Sequence, residues 1–69
     1  MTHSFTLTSD YIELNKLLKI HGVGDSWAQA KHLIAEGQVT VNGVVELRIR
    51  NKLKAGDLVK CQDTTISVS

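Results

Sequence analysis

The segment 26–43 constrains this chain more than any other, because it carries the signals of a helix followed directly by those of a hairpin. Ser26, with Gln29 three positions later, fits a capping box in which each side chain satisfies a backbone donor of the first helical turn. Gly37 is the left-handed residue that commonly follows a helix. Asn42-Gly43 is typical of a two-residue hairpin turn, since both positions must accept a positive φ.

The apolar positions of the same segment support this interpretation. Ala30, Leu33 and Ile34 recur at helical spacing and form one apolar stripe. After the glycine, Val39 and Val41 alternate with polar residues, which is the period of a half-buried strand. The segment therefore predicts a short helix, a strand and a tight return of the chain.

A first helix is predicted to begin at Asp10, with Glu13 as the return arm of a second capping box. Tyr11, Leu14 and Leu18 would then lie on one face of this helix. Gly22 or Gly24 would end it. Asp25 would then add negative charge near the start of the next helix, where the helix dipole is positive.

The remaining segments carry weaker signals. Residues 1–9 are open to two interpretations, a small edge strand or a frayed terminus. After the hairpin, apolar and charged residues alternate, and an extended segment would point Arg48 and Arg50 to one side. The rest of the chain predicts a polar connection at 51–56, strands at 57–61 and 65–68, and a turn at Asp63-Thr64.

Length and composition limit what such a chain can do. Its 69 residues predict one domain, 1–69, which is too small for a wide active-site cleft. Cys61 is the only cysteine, so no internal disulfide can form, which suits a reducing compartment. Because no signal-like segment or long apolar run is visible, we expect a cytoplasmic protein with no membrane partner.

The order of these elements resembles the S4 RNA-binding domain, also called the alpha-L motif. The resemblance is carried by Ser-x-x-x-Ala-Lys-x-Leu-Ile from Ser26, by Gly-x-Val-x-Val-Asn-Gly from Gly37, and by Ala-Gly-Asp at 55–57. The resemblance covers about residues 12–60. Within the family, the chain is most similar to the small stand-alone bacterial proteins of the YbcJ-like subgroup. This resemblance implies an α+β domain in which two short helices pack on a small, mostly antiparallel sheet, and it implies RNA binding.

A basic stretch is the main candidate for that function. Four of the eight basic residues fall within positions 48–54, where they could contact RNA phosphates. The same charges could instead form a solvated edge that discourages strand pairing. The side chains predicted to bind RNA are Lys16, Lys31, His32, Arg48, Arg50, Lys52 and Lys54.

Two of the candidates remain open between a functional and a structural role. Trp27 could stack on an unpaired base, or it could pack over the helix junction against Val23. His32 could donate to a phosphate or base edge, or be an ordinary surface histidine. His3 and His21 have no partner at metal-ligand spacing, so we predict no metal site.

This chain departs from the usual pattern of the family at three positions. Glu13 and Trp27 stand where the family commonly has arginine, and Asn15 stands where it commonly has aspartate. Two phosphate-binding positions thereby lose their charge, which shifts the predicted contacts toward Lys31 and the 48–54 stretch.

We therefore expect a non-catalytic, monomeric protein that binds structured RNA, with ribosomal RNA as one candidate. The sequence shows no paired carboxylates, metal-ligand spacing or phosphate-binding loop, so we expect no enzyme, cofactor or small-molecule substrate. The alternative is a protein-interaction module that kept the fold but lost its affinity for RNA. The formal net charge of only +1 favours that alternative.

Overall fold

Two helices pack against a five-stranded sheet, beside a separate pair of short strands, in a computed structural model that describes residues 2–23 and 26–69. The helices are α1 (Leu14–Ile20) and α2 (Trp27–Ala35). The strands, in chain order, are β1 (Thr2–Phe5), β2 (Ile12–Glu13), β3 (Val39–Val41), β4 (Val44–Val45), β5 (Lys52–Leu53), β6 (Leu58–Cys61) and β7 (Thr64–Val68).

The larger sheet has the strand order β1-β7-β6-β3-β4. Adjacent strands in this sheet are antiparallel, except that β1 pairs with β7 in parallel. The smaller sheet is the antiparallel pair β2-β5. The predicted architecture, two short helices on a mostly antiparallel sheet, is confirmed, and the N-terminal segment forms an edge strand.

The core lies between the helices and the inner face of the larger sheet. Each helix contributes one apolar stripe, and alternate residues of β3, β6 and β7 point inward because strand side chains alternate between the two faces. A fully buried aliphatic side chain typically stabilises the fold by about 1.5–3 kcal/mol. The buried apolar residues are Ile12, Leu14, Leu17, Leu18, Ala30, Leu33, Ile34, Val39, Leu53, Val59, Cys61, Ile66 and Val68.

The helix ends follow the local signals of the sequence. Ser26 Oγ accepts a hydrogen bond from the Gln29 N–H at 3.3 Å, which is the serine half of the predicted capping box. Gly37, with φ of 75°, follows α2 as predicted. At the end of α1, Gly22 has φ of 70°. Gly24, its predicted alternative, and Asp25, predicted to complement the helix dipole, lie outside the described residues.

The first helix begins later than the sequence predicted. Asp10 does not start it, because β2 occupies the intervening positions and Ile12 is buried against Leu53 of β5. Glu13 holds the N-cap position without a side-chain capping bond. Tyr11 therefore lies outside the helix and is 40% exposed.

The segment after the hairpin also differs from the prediction. β4 ends at Val45, and the N–H of Arg48 then donates to Oε1 of Glu46 at 3.0 Å, which turns the chain away from an extended path. Arg48 and Arg50 therefore do not share one side of a strand. The predicted connection contains β5, a strand whose partner, β2, is about forty residues distant along the chain.

The strands at the C-terminal end are close to the prediction. β6 buries Val59 and Cys61 on one face, as the alternation indicated. The last turn lies at Gln62-Asp63, one residue earlier than predicted, because Thr64 already pairs with Cys61. No helix among the described residues is long and apolar enough to span a bilayer.

Candidate RNA-binding surface

Four of the predicted site residues come together around the loop between β4 and β5. Arg48, Arg50 and Lys52 line one shallow depression. Arg50 also lines an adjoining groove with Trp27 and Lys31. Arg50 lines both concavities, so they adjoin at this residue. We call this region the basic surface and define it by the cations Lys31, Arg48, Arg50 and Lys52.

Backbone hydrogen bonds hold this loop against the start of α1. The N–H of Leu14 donates to the carbonyl of Asn51 at 2.9 Å, and the N–H of Asn15 donates to the carbonyl of Ile49 at 3.1 Å. These are donors of the first helical turn, which have no partner within a helix. Ile49 also packs against the core. The loop therefore replaces a side-chain cap and fixes the arginines beside α1.

Both arginines of the basic surface already hold a carboxylate. Arg48 forms a two-pronged pair with Glu46, with Nε to Oε1 at 3.0 Å and Nη2 to Oε2 at 3.1 Å. The side-chain hydrogen bond from Arg48 lowers the pKa of Glu46. Arg50 Nε lies 3.2 Å from Oε2 of Glu13. Both arginine side chains remain more than three-quarters exposed, so the N–H groups not paired with a carboxylate can donate to a ligand.

The lysines of the basic surface differ from its arginines. None of the ion pairs within residues 2–23 and 26–69 involves a lysine. Lys31 and Lys52 are exposed, and the Nζ of Lys52 lies 4.9 Å from the centroid of the Tyr11 ring. Such a contact orients an ammonium group without neutralising it. These charges are therefore open to an anionic partner.

Three predicted residues do not line the basic surface. Lys54 is exposed at the end of β5, where its backbone N–H donates to Oδ2 of Asp57 at 2.8 Å. His32 is exposed on α2, with Nε2 3.5 Å from Oε1 of Glu36. Lys16 lines a third groove, which also includes Tyr11 and meets the groove of Trp27 and Lys31 at Glu13. The sequence favoured Lys31, Arg48, Arg50 and Lys52 over Lys16 and His32, and the site residues themselves stay a prediction.

Trp27 lies at the start of α2 and is 48% exposed. It lines the groove of the basic surface together with Glu13 and Asn15. The three positions that depart from the family pattern thus lie in a single groove. The sequence identified these three positions as departures, but it could not show that they are neighbours, since only the packing of α1 beside α2 brings them together.

His3 and His21 are distant in sequence but adjacent in space, with ring centroids 5.3 Å apart. Burial lowers the pKa of His21, and the neighbouring charge of His3 lowers it further. The part of the chain that the structure describes holds no group of three or more histidine, cysteine or carboxylate side chains placed for a metal ion.

Two short helices on a mixed sheet, with a basic loop fixed across the start of the first helix, define an alpha-L domain of the S4 type. The S4 domain model matches residues 5–69, and the chain belongs to this family.

The relatives support the same grouping. YbcJ of Escherichia coli K12, whose name proposes that it binds RNA, and YbcJ of Shigella flexneri are each 48% identical over 58 residues, covering 84% of this chain and 83% of the relative. The solution structure of YbcJ from E. coli, described as revealing an alpha-L motif involved in RNA binding, is similar with a TM-score of 0.72 and 45% identity. That match covers 94% of this chain and 84% of the other.

Proposed function

We propose that this chain is a non-catalytic RNA-binding protein that contacts structured RNA through the basic surface. The observation that carries the proposal is that two exposed arginines adjoin two exposed lysines, which form no ion pair with the carboxylates of the described residues. Such cations neutralise phosphates and release counterions, which supplies affinity without reading sequence. The names given to the similar YbcJ proteins support the same class of ligand.

Ribosomal RNA is the ligand we would test first, because it is an abundant structured RNA. We propose that the protein acts as a monomer. The proposal also places it in the cytoplasm, where a free buried thiol such as that of Cys61 stays reduced.

The test is a titration of labelled ribosomal RNA fragments at several salt concentrations, followed by anisotropy. Four to five phosphate contacts predict a log–log salt slope of about −3 to −4. The double variant Arg48→Ala/Arg50→Ala should bind about tenfold more weakly, with a slope shallower by about 2. It should remain folded, because both side chains are more than three-quarters exposed.

Lys52→Ala and Lys60→Ala provide a matched comparison. Both lysines are exposed on strands and each substitution removes one charge, but only Lys52 lies on the basic surface. We expect Lys52→Ala to weaken binding and Lys60→Ala to have little effect. Equal effects, or an unchanged affinity of the double arginine variant, would show that RNA does not bind this face.

A protein-interaction module is the second candidate, favoured by three exposed apolar residues on and just after β4. Val44, Val45 and Leu47 are 69%, 53% and 60% exposed, and exposed apolar surface is a candidate contact for a protein partner where such residues adjoin. This function predicts complexes in cell extract that survive nuclease and high salt. RNA-dependent complexes would instead disappear under both treatments.

A further inference from the structure

We infer that the groove between the starts of α1 and α2 holds one unpaired nucleotide of the bound RNA, with its base against Trp27 and its edge or ribose hydroxyl at the carboxamide of Asn15. The inference rests on the proposed function and deepens it, because it names the kind of RNA that is preferred. A fully paired stem would make only the phosphate contacts with the basic surface, whereas a stem with an unpaired nucleotide would also place that nucleotide in the groove.

Asn15 is the first observation that points to a ligand. The residue is only 8% exposed and lines the groove, yet its Oδ1 is buried and has no hydrogen-bond partner within the described residues. Its backbone N–H is already used by Ile49, so the free groups belong to the side chain. Burying an unpaired polar group is costly, and such groups call for a functional explanation.

Carboxamides suit the edges of nucleobases. A carboxamide offers one acceptor and two donors in a plane. Asparagine can thereby pair with a base edge or with a 2′-hydroxyl, provided that the base is not already paired. The orientation of the amide can reverse to match the ligand, since its oxygen and nitrogen are close in shape.

Trp27 is the second observation. It is nearly half exposed at the mouth of the same groove, with its ring available beside Asn15. Stacking on an aromatic ring is the usual way in which proteins hold an unpaired base. A paired base is already stacked within its helix, so this contact selects for an unpaired nucleotide.

The charges and the size of the groove fit a nucleotide. Lys31 and Arg50 lie on its walls, where they can contact the flanking phosphates. Glu13 also lines the groove, but its carboxylate is occupied by Arg50 at 3.2 Å. The groove has a volume of about 390 Å³, which is within the range of small-ligand clefts.

The test uses two fluorescein-labelled RNA hairpins that differ only in one bulged adenosine within the stem. The wild-type protein should bind the bulged hairpin about tenfold more tightly, which is the scale of one base stacked on an aromatic ring. The emission of Trp27 should be quenched by the bulged hairpin and much less by the paired one. Both measurements use the full chain.

Substitutions of Asn15 and Trp27 test whether these residues recognise the unpaired nucleotide or only support the fold. Asn15→Leu keeps the branching and the number of side-chain heavy atoms but removes the amide, so it should abolish the preference for the bulge. Urea unfolding checks that the bulkier methyl groups leave the domain folded. Trp27→Leu should also abolish the preference, and Trp27→Phe should retain part of it. In all three variants the affinity for the bulged hairpin should fall more than the affinity for the paired hairpin, because the lysines and arginines that contact phosphates are intact.

Two outcomes would overturn the inference while leaving the proposed function in place. One is equal wild-type affinity for both hairpins; the other is a preference that persists in Trp27→Leu and Asn15→Leu. An equal loss of affinity for both hairpins in these variants would overturn it too, since the residues would then be general contacts. If neither hairpin bound at low salt, the proposed function would fail, and the inference with it.

Discussion

His21 occupies a position that disfavours its charged form. Its ring lies 5.3 Å from that of His3 and 5.8 Å from that of Phe5, centroid to centroid. Its Nε2 is buried and has no hydrogen-bond partner among the described residues. Burial first, and then the charge of His3, lowers the pKa of His21. The unfolded chain therefore binds a proton at this residue more readily than the folded chain does.

This difference predicts that stability falls as the solution is acidified. Because the folded pKa is lowered, the stabilisation is present above the ordinary histidine pKa of about 6.5 and is lost as the pH falls below it. We expect the urea midpoint of the wild type to decrease between pH 7.5 and 5.5. His21→Gln should flatten this dependence.

The same pH series contains a second, separate transition. Arg48 lowers the pKa of Glu46, so the stabilisation from this carboxylate is lost only as the pH falls below about 4.3. The window from pH 7.5 to 5.5 therefore excludes this carboxylate. An unchanged slope in His21→Gln would assign the acid sensitivity to another group.

At the scale of elements, local signals and long-range contacts act together in the hairpin between β3 and β4. Asn42 and Gly43 have φ of 54° and 84°, as the turn requires. The side chain of Asn42 also bonds beyond the hairpin: Nδ2 donates to Oδ1 of Asp57 at 3.1 Å, and Oδ1 accepts from the N–H of Leu58 at 2.9 Å. Asn42 therefore both forms the turn and ties it to β6.

Two substitutions separate these roles. Asn42→Gly keeps the positive φ and loses only the hydrogen bonds, so we expect a loss of about 1 kcal/mol in the free energy of unfolding. Asn42→Ala also strains the turn, so we expect about 2 kcal/mol. Urea unfolding at pH 7.5 measures both values.

Gly43→Ala is the matched control, since a Cβ at Gly43 would meet no atom within 4 Å and the cost would come from φ alone. Its loss should resemble the difference between the two Asn42 variants. Equal stability of Asn42→Gly and the wild type would show that the tie to β6 contributes nothing.

For the whole molecule, the distribution of charge matters more than its sum. The formal net charge is only +1, yet the basic surface gathers two arginines and two lysines. Two carboxylates, Glu13 and Glu46, lie within this surface and hold its arginines. RNA phosphates must therefore share the guanidinium groups with these carboxylates or displace them.

Glu13→Gln tests this competition. The amide can still accept a hydrogen bond from Arg50, but the negative charge is gone, so phosphates should be attracted more strongly. We expect RNA to bind about threefold more tightly at 0.1 M salt, with a smaller gain at higher salt because of screening. Anisotropy titrations at two salt concentrations measure it. Weaker binding would mean that the ion pair is needed to orient Arg50.

How well a feature could be predicted depended on how local its cause is. The capping serine of α2, the stripe of Ala30, Leu33 and Ile34, and the Asn42-Gly43 turn follow from neighbours within a few residues, and all were predicted from the sequence. The start of α1 was not, because Ile12 and Glu13 pair with β5, a strand with no local signal of its own.

The candidate site divides in the same way. The sequence by itself determined which cations are available and that two helices precede a hairpin, since residue type and short-range periodicity suffice for both. Only the tertiary structure decided that Lys31 joins Arg48, Arg50 and Lys52 while Lys54 and His32 stay apart. It also placed Glu13, Asn15 and Trp27 in one groove, because that neighbourhood depends on how the loop before β5 crosses the start of α1.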